Sequence, residues 1–167
     1  KAYYKSKPQE ALITATSLEK ENNSTLLRSI AGIYAESGDE KYSAFFTQQL
    51  HKASGFGKYQ MIQLYGEFLG KQTPNGLKNA MPHLFSLSND EIWYIRYGAI
   101  LNLVSMQSSL NESKEEISKQ LLKTPDSKSL LEKQSMIHAT LKELDTHLST
   151  LRTTESNETV LKLLSNS

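Results

Sequence analysis

The stretch STLLRSIAGIYAESG, residues 24–38, decides the fold. Leu26, Leu27, Ile30, Ile33 and Tyr34 recur at the three- and four-residue spacing of one helix face. Asn23 or Ser24 supplies an N-cap, and Gly38 falls just past the end, where a left-handed residue closes a helix. Its opening triplet has counterparts further on. Leu26-Leu27-Arg28, Met61-Ile62-Gln63 and Tyr94-Ile95-Arg96 are offset by 35 and 33 residues. Behind the two arginines a small residue (Ala31, Ala99) and an aliphatic one (Ile33, Leu101) also agree. A hairpin of two such helices cannot bury its apolar stripe alone, so neighbours must stack.

Working outward, the same spacing runs through nearly the whole chain. Leu12, Ala15 and Leu18 predict a helix that Pro8 opens near its first turn. Asp39 caps the next, with Tyr42, Phe45, Phe46 and Leu50 on one face and a break at Gly55–Gly57. Met61, Leu64, Tyr65 and Phe68 form another, ended by Gly70 and the turn Thr73-Pro74-Asn75-Gly76. Leu77, Met81, Leu84 and Phe85 follow, with Pro82 predicting a kink. Ser88-Asn89-Asp90-Glu91 reads as a capping box for a helix from Ile92 to about Val104, and Ile117, Leu121 and Leu122 mark a separate one. Thr124-Pro125-Asp126 starts a long helix bearing Leu130, Ile137, Leu141, Leu144, Leu148 and Leu151. Val160, Leu161 and Leu164 end the pattern. Nothing alternates with period two. The expectation is an all-α fold, an α-α superhelix of stacked HEAT/armadillo-like hairpins with a long C-terminal helix. Residues 1–167 read as one helical-repeat domain, with hairpins over about 10–105 and capping helices over about 112–165. Tetratricopeptide repeats fit less well, because their small and aromatic positions would fall on Ser43 and Thr47 and no proline closes the unit near Gly55.

The composition narrows the chemistry. Nineteen Lys and Arg balance eighteen Asp and Glu, giving a net charge of +1 with no basic cluster, which argues against nucleic acid as a partner. Cysteine is absent, so disulfides, thiolate catalysis and Cys-ligated zinc are excluded together. No apolar run is long enough for a membrane span. The chain opens on Lys1 rather than Met and reads as a piece of something longer.

Few residues suggest a site. His51, His83, His138 and His147 stand apart, none in an H-E-x-x-H pair, and read as histidines without a metal role. The pairs Asp39-Glu40, Asp90-Glu91 and Glu115-Glu116 sit at predicted helix starts, where the macrodipole favours carboxylates. Arg28 and Arg96, at equivalent repeat positions, either brace a neighbouring unit, for example near Asp90 or Glu91, or face a groove and hold a ligand's carboxylate. Bracing is preferred, since a repeated position suggests a repeated structural job. Trp93, Tyr94, Tyr97, Tyr59 and Tyr65 are a docking patch if exposed and ordinary core if buried, and packing is the preferred reading. The sequons at Asn22, Asn23, Asn111 and Asn157 fall within what a chain rich in Ser, Thr and Asn produces by chance. No catalytic, cofactor-binding or metal-binding residue is assigned.

Residues 24–46, STLLRSIAGIYAESGDEKYSAFF, resemble the C-terminal helical region of zinc aminopeptidases of the aminopeptidase N family. Ile30-Ala31, Ile33-Tyr34-Ala35, Gly38-Asp39 and Phe45-Phe46 carry the likeness, and Ala11–Glu21 looks like the segment leading into it. The resemblance implies a HEAT-like helical stack at the non-catalytic end of a metallopeptidase, docked on the catalytic domain of the same chain and walling or gating its cavity, with peptide substrate nearby. Zinc would then belong to the parent's catalytic domain, since this chain has no H-E-x-x-H helix to inherit it. The alternative is a free-standing helical-repeat scaffold whose groove binds another protein.

Overall fold

A computed structural model describes residues 2–21 and 23–165, so Lys1, the sequon residue Asn22, Asn166 and Ser167 lie outside the described residues. It is all-α, with no strand among the described residues. The chain divides into two compact units, one ending at Gln72 and the other beginning at Thr73. The hairpin region expected over about 10–105 therefore runs across that boundary.

The first unit holds α1 (Ala2–Ser6), α2 (Pro8–Leu18), α3 (Ser24–Ser37), α4 (Ser43–Lys52) and α5 (Gly55–Leu69), with a 3-10 turn at Glu40–Tyr42 before α4. Pro8 opens α2 as its missing N–H allows. Asn23 Oδ1 accepts from the N–H groups of Thr25 and Leu26, and Gly38, at φ 66°, donates to Tyr34 O. Only glycine takes that conformation without strain, and here a Cβ would also stand 2.8 Å from Lys71 Cβ. α2 packs on α3, α4 on α5 and α3 on α5, so the two helices carrying the first repeat triplets lie together. Their core is aromatic. Tyr34 stacks on Tyr42 with centroids 3.8 Å apart, Phe45 meets Tyr34 edge-on, and Phe46 packs against Tyr65 and Phe68.

The second unit holds α6 (Pro74–Leu87), α7 (Trp93–Leu121), α8 (Lys128–Thr154) and α9 (Glu158–Ser165). Side-chain bonds from Arg96 to Glu155, Gln107 to Asp145 and Gln134 to Ser118 run down α7 as they run up α8, so the two long helices are antiparallel. Ile137, Leu141, Leu144, Leu148 and Leu151 bury the α8 stripe, while α7 contributes Ile95, Leu103, Met106 and Leu110. α6 packs on α7 and α8, and α9 closes on both long helices.

Several boundaries depart from the sequence expectation. The helix expected to stop near Val104 continues to Leu121, because Met106, Leu110 and Ile117 carry the same buried stripe with no glycine or proline between. Leu122 falls off that stripe and is 86% exposed at the helix end. Gly55 and Gly57 lie inside α5 rather than in a break, the chain turning at Ala53 and Ser54. Ser88 is not a cap of α7. It ends α6 and donates inward to Phe85 O, while Asp90 Oδ1 accepts from Ile92 N–H. Thr124–Asp126 forms a turn before α8 instead of its first turn. Pro82 lies on the exposed side in the interior of α6, which stays one continuous helix from Pro74 to Leu87.

Candidate functional site

The most structured polar constellation in the second unit surrounds Arg96, near the start of α7. Its Nε donates to Glu155 Oε2 and its Nη2 to Glu155 Oε1, both at 2.7 Å, a two-pronged pairing that suits the planar guanidinium. Nη1 reaches the carbonyl oxygens of Asp90 and Glu91, each at 3.0 Å. Glu155 also accepts from the N–H groups of Ser156 and Asn157 at 2.9 and 2.8 Å. The Arg96 guanidinium, helped by these N–H groups, holds the Glu155 carboxyl down to about 2 against its burial. Arg96 therefore ties the loop before α7 to the end of α8. Its partners are the main chain of Asp90 and Glu91 and the side chain of Glu155, 59 residues away in sequence.

Arg28 holds the matching place in α3 but a different partnership. It donates to Gln60 Oε1 on α5 and, at 3.3 Å, to Thr25 Oγ1. A neutral amide replaces the carboxylate, so the two arginines share a position without sharing a contact.

The clamp around Arg96 holds an apolar ridge beside it. Trp93 is 45% exposed and Ile92 37%, and Trp93 meets Tyr94 edge-on at 5.8 Å. Tyr97, half-buried, and Leu101, exposed, follow Trp93 at successive four-residue steps along α7. The packing reading of the aromatics therefore holds for Tyr65, which is buried, but not for Trp93. Leu101 likewise faces outward although the repeat pattern pairs it with the half-buried Ile33. No sequence signal separated Trp93 from Ile95, two residues on and fully buried; only the phase of α7 against its neighbours does so.

The remaining candidates are placed as follows. His51, His83 and His138 are exposed. His147 stacks on Phe85 with ring centroids 3.9 Å apart, and burial pushes its pKa down. Ser88 Oγ gives its single proton to Phe85 O and so accepts from His147 Nε2–H at 2.8 Å, an assignment made from that network. Asp39 and Asp90 do sit at helix starts, each accepting from an N–H two residues on. Glu115 and Glu116 instead lie well inside α7, because that helix does not begin again. Asn23 and Asn157, two of the sequon residues, cap α3 and α9. The Tyr65 hydroxyl is buried without a partner in hydrogen-bond geometry, and burial pushes it up to about 12, with the Ser43 side chain acting slightly the other way. The described residues contain no group of His, Asp and Glu placed to hold a metal ion. No helix among them is long and apolar enough to cross a membrane.

Comparison with family models, with curated proteins and with solved structures returns no match to this chain.

Proposed function

We propose that this chain is a non-catalytic helical scaffold that docks another protein, its hairpins of the HEAT-like kind, with the Trp93–Tyr97–Leu101 ridge of α7 as the contact. The observation that carries the reading is Trp93, a large aromatic left in solvent beside a loop that Arg96 holds in place. Trp and Tyr are the residue types that anchor protein interfaces, and a ridge already held in shape loses little freedom when it binds. Within the first unit, the α2–α3 and α4–α5 hairpins with α3 against α5 support the stacked-hairpin character.

The metallopeptidase reading rests on residues 24–46. There Ile30, Ala31, Tyr34, Ala35, Phe45 and Phe46 are buried, Gly38 closes α3 and Asp39 caps the following turn. Most of the carrying residues thus have a packing or capping task, so the likeness speaks for a hairpin and brings no chemistry of its own.

A photo-cross-linking residue placed at position 93, and separately at exposed Lys123 in the α7–α8 turn, tests the scaffold in cells of the source organism. One discrete protein adduct from position 93 and none from 123 supports it. An adduct with the catalytic domain of a zinc peptidase identifies the docked-end version. Equal adducts from both positions, or none, overturn the ridge.

A further inference from the structure

The two long helices of the second unit are covered unevenly. α6 packs on both α7 and α8, and past its start an open groove of about 890 Å³ continues between the same two helices, with Thr73, Pro74 and Asn75 at one end. Leu130 and Met136 of α8 lie half-buried in it beside the buried Ile117 and Ile137, so its floor is apolar. Along α7 it runs from Glu112 to Gln120, about 12 Å at the rise of an α-helix. α6 itself shows the form that fits such a seam, a helix burying Leu77, Ala80, Met81 and Leu84 at three- and four-residue spacing.

The rim is charged and one-sided. Glu112, Glu116 and Glu132 line it against a single cation, Lys133, and all four are exposed. None of them forms an ion pair among the described residues, and Glu116 accepts from the neutral Gln120 amide at 3.0 Å. Glu112 and Glu116 stand four residues apart on one face of α7, where like charges oppose each other and the helix gains nothing from them. Unpaired carboxylates beside an apolar floor complement an occupant that carries cations beside its own apolar side chains. A second copy of this chain does not supply them. Groove-to-groove pairing would set the three carboxylates of one copy against those of the other.

We propose that this groove docks a basic amphipathic helix of a partner protein, lying end to end with α6. The apolar face of that helix meets Leu130 and Met136, and its lysines or arginines reach Glu112, Glu116 and Glu132 at the rim. The contact is separate from the Trp93 ridge. Leu101, the near end of that ridge, precedes Glu112 by eleven residues of α7, about 16 Å along the helix. Neither Trp93 nor Lys123 lines the groove, so the two contacts are read independently.

The test is a methyl NMR titration of the full chain with a short amphipathic helix built of leucine and lysine, and with its counterpart carrying glutamate for lysine. The lysine peptide is expected to give saturable shifts at the methyl groups of Ile117, Leu130, Met136 and Ile137, and the glutamate peptide none. Glu116→Lys should weaken binding about tenfold and Met136→Gln about fivefold, with the rest of the spectrum native. Glu143→Lys makes the same charge change at an exposed position of α8 outside the groove, and should alter binding less than about twofold. Equal weakening by Glu116→Lys and Glu143→Lys, equal binding of both peptides, or no saturable shift overturns the proposal. Sedimentation of the chain alone adds the remaining arm. A dimer that Met136→Gln dissociates assigns the groove to a second copy and overturns the partner helix, and a monomer is the expected result.

Discussion

The two units bury their apolar stripes in different ways. The first uses helices of at most fifteen residues, and aromatic rings supply the reach: Tyr34, Tyr42, Phe45, Phe46, Tyr65 and Phe68 form one connected ring cluster. The second uses helices of 29 and 27 residues, joined along their length by Leu and Ile. Its polar bonds, Arg96 to Glu155 and His147 to Ser88, each join residues 59 apart in sequence. Short helices offer few positions per face, so each must bury a large side chain. Long helices add positions, and smaller aliphatic residues then suffice. The aromatic unit therefore concentrates its stability in a few rings, while the aliphatic unit spreads it over many contacts and a few clamps.

That contrast can be broken first in the cores. Phe46→Ala is expected to cost about 3–5 kcal/mol in the first unit, and Leu148→Ala about 2–5 kcal/mol in the second. Trp93 is the only tryptophan and reports on the second unit, whereas helical circular dichroism reports on both. In urea titrations, Phe46→Ala should move the dichroism curve more than the fluorescence curve, and Leu148→Ala should displace the fluorescence curve. If either variant shifts both curves equally, the two units unfold as one and the contrast is structural only.

The clamp comes next. Glu155→Gln should cost about 2–3 kcal/mol, since it leaves Arg96 facing a neutral partner with little water. The Glu155 carboxyl sits at about 2 in the fold, well below its ordinary value. The stabilisation it adds is thus complete above about pH 5 and is lost as the pH falls toward about 2. Thermal melts over that window should slope in the wild type and run flatter in Glu155→Gln.

Gly38→Ala sharpens the comparison from the other unit. A left-handed φ and the approach of Lys71 Cβ act together there, so a loss of about 1–2 kcal/mol is expected in urea unfolding. The smallest effect is that of Ser88→Ala, about 1 kcal/mol, from a buried hydroxyl that serves both Phe85 O and His147. Burial lowers the His147 pKa, so the unfolded chain binds the proton first and stability declines as the pH drops below about 6.5. A stability profile that stays level between pH 7 and 5 would remove His147 from this account.

Much of the helix pattern was legible because it depends on neighbours in sequence. The α3 stripe, its Asn23 cap and its Gly38 terminus all lie within sixteen consecutive residues, and local spacing is enough to specify them. The same holds for the Pro8 start of α2 and for the heptad stripe of α8. Where two readings compete locally, that information runs out. Ser88 has the composition of an N-cap, yet a fold that brings His147 and Phe85 to it turns its hydroxyl inward. The interval from Val104 to Ile117 looks like a connection because it is polar, but the buried Met106, Leu110 and Ile117 keep α7 intact.

Sequence by itself therefore determined the all-α class, most helix cores and the caps of α3, since periodicity and capping are short-range properties of the chain. Tertiary structure alone decided which arginine meets a carboxylate and which aromatic stays in solvent. Arg96 with Glu155 and Trp93 both depend on residues brought together from distant segments and on the rotation of whole helices. A helix can turn by one residue about its axis without altering any local preference, yet every such contact would change.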